Sequence, residues 1–166
     1  MIDALKPRLF VPSLLAVDLE RLRRRGIQGL ILDLDNTVCS WDQDATAPEF
    51  VQWLERAKAD SFRMCLVSNS LGPRVARFSQ ALDIPAIAKA GKPRRRSFRQ
   101  AMEMMGTTAD TTAVIGDQIF TDVLGGNRLH LFTVLVSPLS PLEFWTTRLV
   151  RRVERLVVPG RRGRRG

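Results

Sequence analysis

The sequence predicts one doubly wound α/β domain, a parallel sheet of about five strands buried between layers of helices. Three observations carry that prediction. Short, near-continuous apolar runs recur at positions 30–32, 64–67, 86–88, 113–115 and 132–136, the pattern of strands covered on both faces. Segments of roughly 10–20 residues separate most of them and carry apolar residues at helical spacing. The chain has 166 residues, 45% of them apolar, which is enough for one sizeable core without staples and too apolar for disorder.

The elements follow in order. A first helix ends at Arg25, with Gly26 in the position that closes a helix through a left-handed residue. The run at 30–32 is the first strand. A helix beginning near Pro48 presents Phe50, Val51, Trp53, Leu54 and Ala57 along one side. After the strand at 64–67, Gly72-Pro73 opens a helix carrying Val75, Phe78 and Leu82. After the brief run at 86–88, Pro93 precedes a helix with Phe98, Ala101, Met102 and Met105. The strand at 113–115 leads to a fifth helix over roughly 120–127, and the run at 132–136 ends the sheet. Trp53, Phe78 and Met102 fall at core spacing and are read as structural.

The domain is expected over 1–137, followed by a basic amphipathic helix over 138–158 and a flexible Arg/Gly tail over 159–166. On a helical wheel Leu142, Trp145, Leu149, Val153, Leu156 and Val157 share one face, and Arg148, Arg151, Arg152 and Arg155 take the other. Such a helix either packs its apolar stripe on the sheet or another subunit, or lies on an anionic bilayer. Charge is distributed to match. The net charge is +9, from 26 basic and 17 acidic residues. Residues 141–166 alone hold 8 Arg against 2 Glu, so the body is only mildly basic. Nucleic acid is thereby a weaker expectation than a phosphorylated substrate or an anionic surface.

Cys39 and Cys65 form no CxxC and no framework of pairs, as expected of a reduced, cytoplasmic setting. The apolar stretch at 9–17 is broken by Pro12 and followed by Asp18 and Glu20, so no signal peptide is expected. The longest charge-free stretch, 129–142, contains two prolines and is too short to span a bilayer. A peripheral contact at the inner face of a membrane stays open.

In doubly wound sheets, ligands bind beyond the carboxyl ends of the strands. There the sequence places Asp33-Leu34-Asp35-Asn36-Thr37, Ser68-Asn69-Ser70, Gly91-Lys92-Pro93 and Gly116-Asp117, with Asp122 five residues on. Carboxylates, hydroxyls and one ammonium converging on one edge fit phosphoryl transfer through an aspartyl-phosphate. Asp33 would attack phosphorus. Asp35 would protonate the leaving alkoxide and then deprotonate water. Thr37, Ser68 and Lys92 would hold phosphoryl oxygens. Mg²⁺ would sit on oxygen ligands from Asp33, Asp117 and the Asp35 carbonyl, with Asp122 ligating through water or orienting Lys92. Taken singly, each acid could instead be a helix cap or turn former.

DLDNT, SNS, GKP and GDQIFTD, in that order, resemble motifs I to IV of the haloacid dehalogenase (HAD) superfamily. The runs GLILDLDNT, VSNS, RVARF and VIGDQIFTDVLGGNR are similar to the YqeG-like branch of subfamily IIIA, which includes phosphatidylglycerophosphate phosphatases. The resemblance covers about residues 19–136. It implies a Rossmann-like fold, Mg²⁺ dependence, Asp33 as nucleophile and Asp35 as acid/base. It also implies phosphate binding by Thr37, Ser68, Asn69 and Lys92, and a metal held among Asp33, Asp35, Asp117 and Asp122. His130 departs from the pattern, which has Gly after NRL.

Between Thr37 and Ser68, and again between Ser70 and Lys92, there is room for one crossover helix and no cap domain. The site should lie open to a bulky substrate, and a lipid phosphate, phosphatidylglycerophosphate above all, is the expected one. Nucleic-acid ends or a sugar phosphate are the alternative, and a non-catalytic adaptor the second. Arg94, Arg95 and Arg96 are either a solvated helix start or a collar attracting anions. Trp41 and Asp42 either line the entrance or pack over it.

Overall fold

The computed structural model describes residues 2–140; residues 138–140, the start of the expected amphipathic helix, are not helical, and the rest of that helix over 141–158 and the tail over 159–166 lie outside the described residues. Six strands form one parallel sheet in the order β1-β6-β5-β2-β3-β4, where β1 is Leu9–Val11, β2 Gly29–Leu32, β3 Arg63–Val67, β4 Ala86–Ile87, β5 Thr112–Gly116 and β6 Phe132–Val136. The helices are α1 (Leu19–Arg24), α2 (Pro48–Ala59), α3 (Gly72–Leu82), α4 (Arg95–Met105) and the short α5 (Leu124–Asn127), the last preceded by a π-helical turn over Ile119–Val123. The wound α/β architecture is the expected one, with one strand more than the sequence reading. The extra strand, β1, pairs with Val134, Leu135 and Val136 at the sheet edge. It is three residues bracketed by Pro7 and Pro12, too short for a periodicity to show.

Alternation along the strands sorts the core into two layers. Leu30, Leu32, Met64, Leu66, Ala113 and Ile115 face the side covered by Leu22 of α1, Trp53 and Leu54 of α2, and Val75 and Phe78 of α3. Ile31, Cys65, Val67 and Val114 face Phe98, Ala101 and Met105 of α4. Trp53 is fully buried, and its indole N–H donates to the Val17 carbonyl at 3.3 Å, so its one polar atom is satisfied.

The chain runs outward from β2 through β3 to β4, then returns to the other side of β2 as β5. The order therefore reverses between β2 and β5, and a crevice opens beyond their carboxyl ends. Only α2 separates β2 from β3. Between β3 and the Gly91-Lys92-Pro93 loop lie only α3 and the two-residue β4. No cap covers the crevice among the described residues.

Candidate active site

The strand pairing of β2 continues one residue past its end, because the Asp33 N–H donates to the Ile115 carbonyl at 2.9 Å. That bond fixes the Asp33 backbone at the switch point, with its residue 6% exposed. The chain then turns sharply. The N–H groups of Val38 and Cys39 both donate to the Leu34 carbonyl at 3.1 Å. Asn36 takes a left-handed φ of 63°, which Asn tolerates better than most residues. The turn buries Thr37 completely, and its hydroxyl oxygen has no hydrogen-bond partner. A buried hydroxyl left open at this position suits an incoming anionic oxygen.

Lys92 is the centre of the buried charges. Its ammonium donates to Asp33 Oδ1 and to Asp122 Oδ1, each at 2.6 Å. The loop that carries it is clamped by Asn69: the Lys92 N–H donates to Asn69 Oδ1 at 2.8 Å, and Asn69 Nδ2 donates back to the Lys92 carbonyl at 3.3 Å. The Asn69 side chain thus spends both polar atoms on the Lys92 backbone. Asp35 is turned the other way. Its carboxylate accepts from Ser68 Oγ at 3.2 Å, from Ser70 Oγ, and from Arg74 Nε at 2.9 Å. Arg74 also donates to the carbonyls of Gln43 at 2.8 Å and Ser40 at 3.1 Å, so one guanidinium ties Asp35 to the 40–43 loop.

Asp33, Asp117 and Asp122 are all buried, and each offers a carboxylate oxygen within 4.8 Å of the others. These are hard oxygen donors of the kind that Mg²⁺ prefers. The charge balance agrees. Three carboxylates against one ammonium leave two negative charges in a buried site, which burial strongly disfavours and one divalent cation cancels. Without that cation the surplus must be shed. Burial pushes the Asp33 carboxyl up to about 7, despite the pull of Lys92, and the neighbouring Asp122 charge adds to the rise. For Lys92, burial works against the charged form, but Asp122 and Asp33 outweigh it and hold its pKa above the usual lysine value. Both directions follow from one arrangement: the two acids hold the ammonium charged, while burial and the Asp122 charge oppose ionisation of Asp33. The residues fit a bound Mg²⁺. The Asp35 side chain is outside this group, so only its main-chain carbonyl is left as a donor toward a metal.

The stretch from Gly116 to Asn127 shows why these residue types stand where they do. A Cβ at Gly116 would lie 2.3 Å from Asp122 Cγ, so only glycine lets the Asp122 carboxylate fold back over the strand end. Asp122 Oδ2 in turn accepts from the Gln118 N–H at 3.2 Å. Asn127 donates to the carbonyls of Ala4 at 2.8 Å and Lys6 at 2.9 Å, and accepts from the Thr133 hydroxyl. It thereby ties the N-terminal segment to β6. His130, where the family pattern has glycine, adopts a left-handed φ of 61°.

The structure therefore brings Asp33, Lys92, Asp117 and Asp122 into one cluster, with Asp35 and Ser68 beside it and Thr37 buried in the adjoining turn. Sequence reasoning assigned no role to Ser70 or Arg74. Both were in plain view, Ser70 inside SNS and Arg74 at the head of RVARF.

The HAD-hydrolase-like family model matches residues 89–138. Over 152 residues the chain is 40% identical to the probable phosphatase YqeG of Bacillus subtilis, covering 92% of this chain and 88% of that protein. Over 158 residues it is 30% identical to phosphatidylglycerophosphate phosphatase 1 of Arabidopsis thaliana, covering 89% of this chain but 45% of that protein. The chain thus spans under half the length of the plant relative. Among solved structures, the cobalt-bound deoxy-D-mannose-octulosonate 8-phosphate phosphatase of Haemophilus influenzae superposes with a TM-score of 0.55 at 18% identity, over 66% of this chain and 68% of that one. A HAD-family hydrolase from Streptomyces avermitilis gives 0.55 at 18%, over 74% and 76%. At such identities the two structures speak for the fold alone. The near full-length match to YqeG reaches further: the chain is a HAD-type phosphatase and belongs to the YqeG-like family of the HAD superfamily.

Proposed function

We propose that the protein is a Mg²⁺-dependent phosphatase that hydrolyses the phosphomonoester of phosphatidylglycerophosphate to give phosphatidylglycerol. The single observation that carries this reading is an open crevice with no cap among the described residues, at whose floor a buried carboxylate, Asp33, sits against a buried ammonium. An enclosed small metabolite would need a lid, whereas a headgroup presented by a bilayer does not. The 30% identity to a plant phosphatidylglycerophosphate phosphatase supports the same substrate.

In this mechanism Asp33 attacks phosphorus, forming a bond from its carboxylate oxygen as the ester P–O bond breaks. Asp35 gives its proton to the departing glycerol alkoxide. The Asp35 carboxylate then takes a proton from water, which attacks the aspartyl-phosphate and releases inorganic phosphate and free Asp33. Ser68, Ser70 and Arg74 fix the Asp35 carboxylate, which in this mechanism serves the leaving oxygen. Lys92 and the Thr37 hydroxyl receive phosphoryl oxygens, and Asn69 positions Lys92 through its backbone. Mg²⁺, for which Asp33, Asp117 and Asp122 offer the ligands, supplies the positive charge that lets two anions approach. The basic residues of 141–166 would draw the enzyme to an anionic membrane surface.

The test is a substrate panel under one condition with Mg²⁺: phosphatidylglycerophosphate in detergent micelles, a phosphorylated oligonucleotide and a sugar phosphate. Preferred phosphate release from the lipid is expected. Release only from the oligonucleotide or the sugar phosphate overturns the substrate.

A further inference from the structure

The helix starts at the rim of the crevice differ from that of α1. Away from the site, α1 begins at Asp18, whose side chain caps the Arg21 N–H, and has Glu20 in its first turn. The two helices that begin beside the site do the opposite. At the cap position of α3 stands Leu71, and of α4 Arg94. Neither makes a side-chain cap, and neither helix has an acid in its first turn.

Leu71 is 67% exposed, and Trp41 38%. Both flank the crevice. Leu71 follows Ser70, whose hydroxyl donates to Asp35. Trp41 follows Ser40, whose carbonyl accepts from the same Arg74 that grips Asp35. On the facing side, the Lys89 N–H donates to the Ser70 carbonyl at 3.0 Å, and the Arg94 N–H to the Gly91 carbonyl at 3.0 Å. The side chains of Lys89, Arg94, Arg95 and Arg96 are exposed, and none forms an ion pair with another described residue. Against these four cations stand Asp42 and Glu49 on the Trp41 side, while Asp44 is neutralised by Arg77 and Arg74.

We infer that Trp41, Leu71 and the cations of the 89–96 segment form a docking rim that seats the protein on an anionic phospholipid bilayer, with the mouth of the crevice toward the headgroups. This rests on the lipid substrate proposed above and adds the surface and orientation by which that substrate is reached. An exposed leucine and an exposed tryptophan, each next to a residue bonded in the Asp35–Arg74 network, fit the apolar–polar boundary of a bilayer, where the ring lies at headgroup depth. Unpaired lysine and arginine close by match the negative surface potential. Nucleic acid would use the cations but has no place for Leu71.

Vesicle binding tests this without turnover, so a wrong substrate would not spoil it. The full chain is sedimented with phosphatidylcholine vesicles, with and without phosphatidylglycerol. In a Trp145→Phe background, Trp41 is the exposed tryptophan among the described residues, since Trp53 is fully buried. Brominated phosphatidylglycerol should quench it. Leu71→Glu should weaken binding by about tenfold or more and remove the quenching at an unchanged melting temperature. Should that variant fold poorly, Arg95→Glu/Arg96→Glu serves instead and should abolish the dependence on phosphatidylglycerol. Binding that survives either substitution with Trp41 unquenched would assign attachment to residues 141–166 and overturn the docking rim. Absence of vesicle binding, or retention by nucleic acid alone, would overturn it equally.

Discussion

The floor of the crevice and its rim are made of the same kinds of charged residue under opposite conditions. On the floor, Asp33, Asp117, Asp122 and Lys92 are buried, and Lys92 bridges two of the acids at 2.6 Å. At the rim, Lys89, Arg94, Arg95 and Arg96 are exposed and have no ion-pair partners among the described residues. Buried charges are costly to leave unpaired, so the Lys92 ammonium is committed to Asp33 and Asp122. Exposed charges interact weakly with the protein and strongly with a large anionic surface. The contrast teaches that one region fixes the chemistry while the other is free to serve approach.

If that division holds, removing the shared cation of the floor should cost fold and turnover together. The largest effect is expected from Lys92→Ala, which leaves Asp33 and Asp122 without their shared cation. It should destabilise the metal-free protein by about 3–5 kcal/mol, measured by denaturant unfolding, and remove turnover. A variant that keeps wild-type stability would show that the two carboxylates do not depend on the ammonium. Next comes Gly116→Ala. Its Cβ would stand 2.3 Å from Asp122 Cγ, so Asp122 must move. Turnover should fall about 100-fold and stability by about 1–3 kcal/mol.

Arg74→Ala sits on the boundary between the two regions and sharpens the comparison. The guanidinium holds Asp35 and the 40–43 loop but touches none of the buried cluster. Turnover should drop about tenfold to 100-fold with little change in melting temperature and in metal affinity. Equal losses in all three would place Arg74 with the floor.

The last test is one of pH. With Asp33 raised to about 7 from an unfolded value near 3.8, the metal-free folded state holds a proton that the unfolded state has lost. Stability should therefore fall as pH rises from about 4 to about 7. Added Mg²⁺ should flatten that slope by compensating the ionised group. In Asp33→Asn the component of the slope should vanish. Thermal unfolding in chelator across this range is the measurement, and an identical slope in wild type and variant would contradict the assignment.

The floor was far more legible in the sequence than its supports. Asp33 and Asp117 directly follow β2 and β5, and Lys92 and Asp122 lie in the loop after β4 and the turn after β5, on the edge where a doubly wound sheet gathers its ligands, so order and spacing were enough. Arg74 was not, because its contact with Asp35 crosses 39 positions and depends on which face of α3 turns inward. Asn69 was read with the phosphate-binding residues, and its geometry directs it to the Lys92 backbone 23 positions away. The requirement for glycine at 116 follows from Asp122 folding back, which no local propensity encodes. β1 escaped notice because three residues between prolines carry no period, although pairing with β6 holds them at the sheet edge. The left-handed position of His130 was foreshadowed by its departure from a family glycine.

The central claim is that Asp33 accepts the phosphoryl group from a lipid presented at the open crevice. Phosphate release from phosphatidylglycerophosphate in anionic mixed micelles with Mg²⁺ tests it most directly, comparing wild type with Asp33→Asn. Wild type should turn over, and the variant should lose about 10⁴-fold or more while keeping its fold and its binding to phosphatidylglycerol vesicles. Turnover that survives Asp33→Asn, or a wild type inert toward this lipid, would contradict the account.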